Sequence, residues 1–197
     1  MTDSARFLSA LRLIDQANLQ DPNREHWEGR EYAKEHLYSL RMSAWLVRLD
    51  PEADEARRLA ARAQHIRRWM LPRDRYPMTR EGYLRWRTEL YDFHADQTAE
   101  ILAQAGYGEE TIARVAAMLK KRGLRRNPDT QMIEDVACLV FLEHYFLPFA
   151  AGQDEAKLID IVQKTWKKMS GPARAAALQL PFPDDVRALL GQALAGS

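Results

Sequence analysis

The stretch EDVACLVFLEHYF, residues 134–146, decides the fold. It is the most apolar part of a helix predicted over residues 129–146, so we expect this helix to lie at the centre of the molecule. Asp135, Leu139 and Leu142 fall on one helical face, which directs the Asp135 carboxylate inward. A buried carboxylate needs a partner, because taking its charge out of water is costly. Histidine, arginine or a cation would each serve.

Helical periodicity continues on both sides of this stretch. Ser4 is expected to cap a first helix around Phe7, and Gly123 to end a later helix in the left-handed conformation. The polar stretch 19–30 is predicted to be a loop, and no strand pair is predicted. Further helices are predicted over residues 31–49, 52–69, 82–105, 109–121, 154–168, 171–178 and 184–194. The fold class is therefore all-α, in a single domain of residues 1–197.

Composition restricts the classes of protein that this chain can belong to. It has 197 residues, a net charge of +1 and one cysteine, Cys138, which excludes an internal disulfide framework and fits a reducing compartment. No signal peptide and no membrane span is found, so we expect a cytoplasmic protein without a membrane partner. Phosphate-binding glycine loops, a CxxC pair, a GxSxG elbow and an HExxH motif are all lacking.

Three titratable residues are candidates for one shared site. His65 follows an alanine-rich run, and small residues let helices approach closely, so its imidazole is expected to enter a crowded interior. His94 precedes the apolar Ile101 and Leu102. A single histidine in a helix is more often structural than functional. We expect His65, His94 and Asp135 to come from three helices and to meet.

The order of these segments resembles the HD-domain superfamily of metal-dependent phosphohydrolases. In that family one helix carries His-Ser-x-Arg-Val, a second carries small residues ending in His-Asp-Ile-Gly, and a late helix carries a final Asp. This chain reads YSLRM at 38–42, LAARAQHIR at 59–67 and EDVA at 134–137. The resemblance covers about residues 34–146. It implies an HD-domain-like helical bundle with a core of about 31–150 and a C-terminal helical extension of about 153–195.

The departures from the HD pattern fall on its metal ligands. Tyr38 replaces the first His, and Gln64-His65 replaces His-Asp, while Asp135 keeps its identity. His94 matches an accessory ligand of some subgroups. Tyrosine and glutamine are poorer ligands than histidine and carboxylate. The strings AQHIRRW (63–69), GYLRWR (82–87), EDVACLVFL (134–142) and KTWKKMS (164–170) are similar to an uncharacterised bacterial and fungal family of unknown function.

The HD resemblance implies a hydrolase acting on a small phosphorylated or nucleotide-like substrate. His65, His94 and Asp135 would hold a divalent metal ion, which would be manganese, iron, zinc, nickel or magnesium. Gln64 and Glu134 would join His65 and Asp135 at the catalytic centre. An iron-dependent oxygenase is a second enzymatic alternative. Without metal, the same residues would form a hydrogen-bonded network that binds a small ligand, or one that is purely structural.

Basic residues around these positions favour an anionic ligand. The run KKRGLRRNP, residues 120–128, directly precedes the helix that carries Glu134. Guanidinium groups bind phosphate through two parallel hydrogen bonds, so a nucleotide or phosphorylated metabolite is expected. RNA is the larger alternative, since aromatic residues interleave with the arginines, although the net charge is near zero. The residues predicted to bind substrate are Tyr38, Arg41, Arg67, Arg68, Arg87 and Lys121.

Overall fold

A computed structural model describes residues 4–195, and within this range the protein is all-α apart from one short hairpin. As predicted, the Ser4 hydroxyl caps the first helix by accepting a hydrogen bond from the Phe7 N–H. The α-helices are α1 (Ala5–Leu19), α2 (Lys34–Leu49), α3 (Glu55–Ala63), α4 (Arg80–Gln104), α5 (Glu109–Leu119), α6 (Pro128–Val140), α7 (Phe146–Ala150), α8 (Glu155–Lys168), α9 (Gly171–Ala177) and α10 (Asp184–Ala195).

The chain divides into two compact units, the first ending at Ile133 and the second beginning at Glu134. In the first unit, α4 packs against α5, α3 packs against α2 and α5, and α1 packs against α2, α3 and α4. Its core is made of fully buried apolar side chains: Phe7, Ile14, Leu37, Met42, Leu46, Leu59, Ile66, Leu90, Leu102, Met118 and Leu119.

The second unit contains the apolar stretch that the sequence singles out. Val136, Leu139 and Phe146 are fully buried, as expected for a central helix. The helix widens into a π-helical turn over Phe141–Tyr145 before α7. Later in this unit α10 packs on α8. The division between the two units lies inside α6, whereas the sequence marks a boundary near residue 151.

A β-hairpin precedes α2, so the prediction of no strand pair is wrong. β1 (Arg24–Trp27) pairs antiparallel with β2 (Arg30–Ala33), inside the stretch that we expected to be a loop. Glu28 and Gly29 both have positive φ, 49° and 74°, which suits a two-residue turn between strands. Because residues 30–33 belong to β2, α2 begins later than predicted.

The third helix is also shorter than predicted. It ends at Ala63, and two 3-10 turns follow, Arg68–Met70 and Arg73–Arg75. Arg67 has φ 50°, a left-handed conformation that a continuous helix cannot accommodate. His65 and Arg68 therefore lie outside α3, one on each side of this left-handed residue. Among the described residues, no helix is both long and apolar enough to cross a bilayer.

Candidate functional site

His65 is the centre of a polar cluster inside the first unit. It lies in the turn after α3, and its imidazole stacks on the ring of Tyr38 from α2, with centroids 3.9 Å apart and planes within 11°. Arg68 Nη1 lies 3.2 Å from His65 Nε2, and Glu35 Oε2 lies 3.3 Å from His65 Nδ1. Both ring nitrogens therefore have a polar neighbour.

These neighbours assign the imidazole proton. A guanidinium can only donate, so His65 Nε2 is the acceptor toward Arg68, and the proton of the neutral ring lies on Nδ1, facing Glu35. Burial lowers the pKa of His65 well below its ordinary value, and the charges of Arg68, Lys121 and Lys34 lower it further. His65 is therefore neutral at physiological pH.

Glu35 is a buried carboxyl group in the first turn of α2. Burial raises its pKa to about 7; the charge of Asp21 adds to the increase, whereas Arg68 and Lys34 oppose it. The Glu35 N–H donates to Asp21 Oδ2 at 3.0 Å, which fixes the start of the helix. A carboxyl group with a pKa near 7 exists in both protonation states at neutral pH, as a general acid or base requires.

His94 lies on α4, with its ring centroid 5.7 Å from that of His65. The residue is buried, and its Nε2 has no hydrogen-bond partner among the described residues. Burial lowers the pKa of His94 well below its ordinary value, with further lowering by His65, Arg68 and Lys121. A buried polar nitrogen without a partner costs stability, so its presence here needs an explanation.

Arg67 is held in its left-handed conformation from both ends. Its N–H donates to Asn18 Oδ1 at 3.0 Å, and its Nη1 donates to Gln97 Oε1 at 2.6 Å. Asn18 and Gln64 are buried, and Asn18 Nδ2 and Gln64 Oε1 lack a partner among the described residues. Strain and unsatisfied polar atoms concentrate at functional sites more than in ordinary cores.

Comparison with known proteins gives one match. The model of a family described as a domain of unknown function, DUF4202, matches residues 8–190. The chain belongs to the DUF4202 family. This agrees with the uncharacterised family expected from the sequence strings. Neither the curated proteins nor the solved structures gave a match.

The structure brings several predicted site residues of this DUF4202 protein together. The imidazole of His65 lies next to the side chains of Tyr38, His94 and Arg68. Gln64 and Arg67 are its near neighbours in the sequence. The charge of Lys121 acts on both imidazoles. Two other predicted anion-binding residues are engaged elsewhere. Arg41 pairs with Glu25 in the hairpin, and Arg87 donates to the Tyr91 hydroxyl along α4.

The two predicted carboxylates lie in the second unit. Asp135 Oδ1 accepts from the Ser170 N–H at 2.8 Å, and Asp135 Oδ2 accepts from the Ser170 hydroxyl at 2.5 Å. Glu134 Oε1 lies 3.5 Å from Lys168 Nζ. The prediction that Asp135 is buried is confirmed, and Ser170 supplies the partner that a buried carboxylate needs.

These side-chain positions do not fit a divalent metal ion. Within residues 4–195, no group of three or more His, Cys, Asp or Glu side chains is arranged to hold one. The lone pair of His65 Nε2 faces the Arg68 guanidinium, whose positive charge would repel a cation. Metal binding by His65, His94 and Asp135 stays a prediction.

Glu35 is the functional candidate that the sequence interpretation missed. A carboxylate in the first turn of a helix is explained by the helix dipole alone, so it attracts no attention. The available signal was its spacing, since Glu35 lies one helical turn before Tyr38 and thus on the same face. Its proximity to His65 depends on the turn after α3, which the sequence placed inside a helix.

Proposed function

We propose that the His65 cluster binds a small anionic ligand, a phosphorylated metabolite or a nucleotide. The observation that carries the proposal is the buried, unpartnered Nε2 of His94 beside a neutral His65 and the Arg68 guanidinium. A ligand that accepts a hydrogen bond from His94 would satisfy this nitrogen. The bound ligand would then explain why His94 Nε2 has no partner among the described protein groups.

Electrostatics supports an anion over a neutral ligand. Burial is the largest cause of the lowered pKa values of His65 and His94, and neighbouring cations add to it. Burial disfavours charge of either sign, but the neighbouring cations Arg68, Lys121 and Lys34 create a positive potential that favours negative charge at this place. Arg68 spends one nitrogen on His65, and the other donors of its planar fork suit phosphate oxygens.

Thermal-shift and calorimetric titrations with inorganic phosphate, pyrophosphate and nucleoside monophosphates test this function. We expect at least one of these anions to raise the melting temperature, and its affinity to fall about tenfold or more in Arg68→Ala, since charge-assisted hydrogen bonds are lost. Arg85→Ala is the matched control, because Arg85 is exposed and pairs with Glu89 outside the cluster. Absence of stabilisation by every anion, or equal binding by Arg68→Ala, would contradict the proposal.

A second candidate function is hydrolysis of the bound phosphate ester. It is favoured by the Glu35 carboxyl group, whose pKa of about 7 lies beside a neutral imidazole. Such a pair suits proton transfer to and from water at neutral pH. The resemblance to HD-domain phosphohydrolases points to the same reaction class, and there it implies a metal ion. The proximity of Glu35 to His65 supports a hydrolysis mechanism in which these side chains act as general acid and base.

Hydrolysis is tested by release of phosphate from the ligands that bind. We expect Glu35→Gln to retain binding and to lose turnover by about a hundredfold or more, the usual effect of removing a general acid or base. Turnover should persist in a chelator. A different set of results would support the metal-dependent mechanism predicted from the sequence. In that case a chelator abolishes turnover, Mn²⁺ restores it, and His65→Ala and Asp135→Ala are both inactive. Binding without any turnover leaves the protein a binding protein.

A further inference from the structure

A short stretch of chain outside the His65 cluster carries several exposed apolar side chains. Met70, Met78, Tyr83 and Leu84 are 49%, 82%, 42% and 53% exposed. They are four of the ten most exposed large apolar side chains in the described part of the chain, and they lie within residues 70–84. Scattered exposed apolar residues are ordinary, but a concentration of them marks an interaction site. We call residues 70–87 the arginine–methionine face.

This face is rigidly built. Arg73 donates to the carbonyl oxygens of Tyr76, Pro77 and Thr79, which ties residues 73–79 into one loop. The loop presses on the first turn of α4, where a Cβ on Gly82 would lie 2.2 Å from the Pro77 oxygen. The four apolar side chains are therefore displayed by a fixed backbone, and binding to them would need little ordering of the protein.

Its charge is strongly asymmetric. Residues 70–87 contain five arginines and two acidic residues, a net charge of +3 in a chain whose total is +1. Arg75, Arg80 and Arg85 are exposed in the same stretch of chain, and Arg85 pairs with Glu89, just beyond it. Lysine is absent from the whole sequence between Lys34 and Lys120. Methionine, tyrosine and arginine with no lysine is the composition of the central part of a protein interface.

We propose that the arginine–methionine face docks an acidic amphipathic segment of a partner protein. The apolar side of that segment would cover Met70, Met78 and Leu84, and its carboxylates would meet the surrounding arginines. Charge complementarity selects this partner, because like charges across an interface are strongly unfavourable. A second copy of the chain is disfavoured for the same reason, since a two-fold interface would place the arginines against their own copies.

Two other classes of partner fit the face less well. Single-stranded nucleic acid needs exposed rings for stacking, and Trp86 is already covered by Arg68 and Arg73, at 4.9 Å and 5.9 Å. Tyr83 is the exposed ring that is left in this face. A membrane surface ordinarily requires a long amphipathic helix or a lipid anchor, and four side chains in a loop and one helical turn offer less.

Fluorescence anisotropy with the full-length protein tests the docking surface. The probe is a labelled synthetic helix about 18 residues long, with leucine on one face and glutamate on the other. We expect saturable binding that weakens about tenfold or more in Leu84→Asp and in Met78→Asp, since interface energy concentrates in buried apolar anchors. Arg80→Glu should weaken it through charge alone. Leu19→Asp is the matched control, because Leu19 is 52% exposed on α1 and should leave binding unchanged.

Several results would overturn the proposal. One is the absence of peptide binding, and another is equal binding by Leu84→Asp and the unchanged protein. A third is a failure of the acidic peptide to bind together with Leu84-dependent binding of another partner. The partners tested are oligouridine and vesicles in which about one third of the lipid is phosphatidylserine. Melting temperatures of all variants are measured first. The substituted side chains are exposed, so their melts should agree within about 4 °C.

Discussion

At the scale of single residues, Glu35 contributes to the way the stability of the protein depends on pH. Its pKa is about 7 in the folded protein, against 4.5 for an ordinary glutamate. The folded state therefore holds its proton more tightly than the unfolded chain does. This stabilisation is complete below pH 4.5 and is lost as the pH rises from 4.5 through about 7.

Substituting Glu35 by Gln removes this dependence on pH. The gap between the two pKa values corresponds to about 3 kcal/mol at pH 8, since one unit is worth about 1.4 kcal/mol. Between pH 4 and pH 8, the free energy of unfolding of Glu35→Gln should increase by up to that amount relative to the unchanged protein. Urea unfolding at both pH values measures this gain, and Glu81→Gln, at an exposed position of α4, is the control. A gap between the proteins that is the same at both pH values would exclude a buried titrating Glu35.

His94 acts with the opposite sign. Its pKa in the folded protein lies well below 6.5, so the unfolded chain binds its proton first. The stability that its neutral form contributes is complete above pH 6.5 and is lost as the pH falls below it. Relative to His94→Gln, the unchanged protein should lose up to about 2 kcal/mol between pH 7 and pH 5. Unfolding midpoints at the two pH values test this, and a constant difference between the proteins would mean that folding does not lower the pKa of His94.

Sequence reasoning found the imidazoles of the cluster and missed its carboxyl group. His65 and His94 stand out because histidine is scarce in this chain, with five copies. Glu35 is one of many acidic residues, and only burial distinguishes it. Burial depends on the hairpin and the turn after α3, neither of which leaves a strong local pattern.

At the scale of elements, the left-handed turn at Arg67 holds the site in shape. The turn depends on Asn18, a buried residue of α1 whose side chain accepts the Arg67 N–H. The expected helix over residues 52–69 fails at this point because a tertiary contact, outside the local sequence, stabilises a conformation that arginine adopts rarely.

Asn18→Ala should weaken this turn. Removing the acceptor leaves the Arg67 N–H without its bond, which costs about 1–3 kcal/mol. We also expect weaker anion binding, because His65 and Arg68 lose their fixed positions. Chemical denaturation and phosphate titration measure the two effects, with Gln16→Ala on the exposed side of α1 as control. Unchanged stability in Asn18→Ala would show that the turn holds without α1.

Two further elements could not be predicted from the local sequence pattern. The hairpin strands have four residues each, and the Glu28-Gly29 turn lacks the Asn-Gly or Asp-Gly signal of common hairpins. The π-helical turn Phe141–Tyr145 precedes Pro148, which has no N–H for the His144 carbonyl and whose ring would clash with it in an α-helix. The change in winding accommodates that proline.

At the scale of the whole molecule, the all-α class followed from periodicity and is confirmed. The two compact units were not predicted, because their division reflects the density of long-range contacts instead of a glycine- or proline-rich linker. A single domain over the whole chain stays a prediction. The groups of the His65 cluster that are proposed to bind the anion all lie in the first unit. The sequence instead predicted a site that includes Asp135, which lies in the second unit.

In the second unit, Asp135 fixes the start of α9 through Ser170. Ser170 also caps that helix by accepting from the Ala173 N–H. We expect Asp135→Ala to destabilise α9 by about 1.5–3 kcal/mol, the value of hydrogen bonds to a charged group. Hydrogen exchange of residues 171–177 should then be faster. Asp160→Ala is the control, since Asp160 is exposed and pairs with Lys164. Unaltered exchange in Asp135→Ala would remove this structural role.

The buried carboxyl group in α2 has one more consequence. Under the proposed function, an anion bound beside Glu35 raises its pKa above 7, and linkage makes the converse true: protonated Glu35 binds the anion more tightly. Anion binding near neutral pH therefore takes up a fraction of a proton per site from the buffer. Calorimetry in phosphate-free buffers of different ionisation enthalpy would register that uptake, and acidification alone would then increase the fraction of protein with bound anion at a constant ligand concentration.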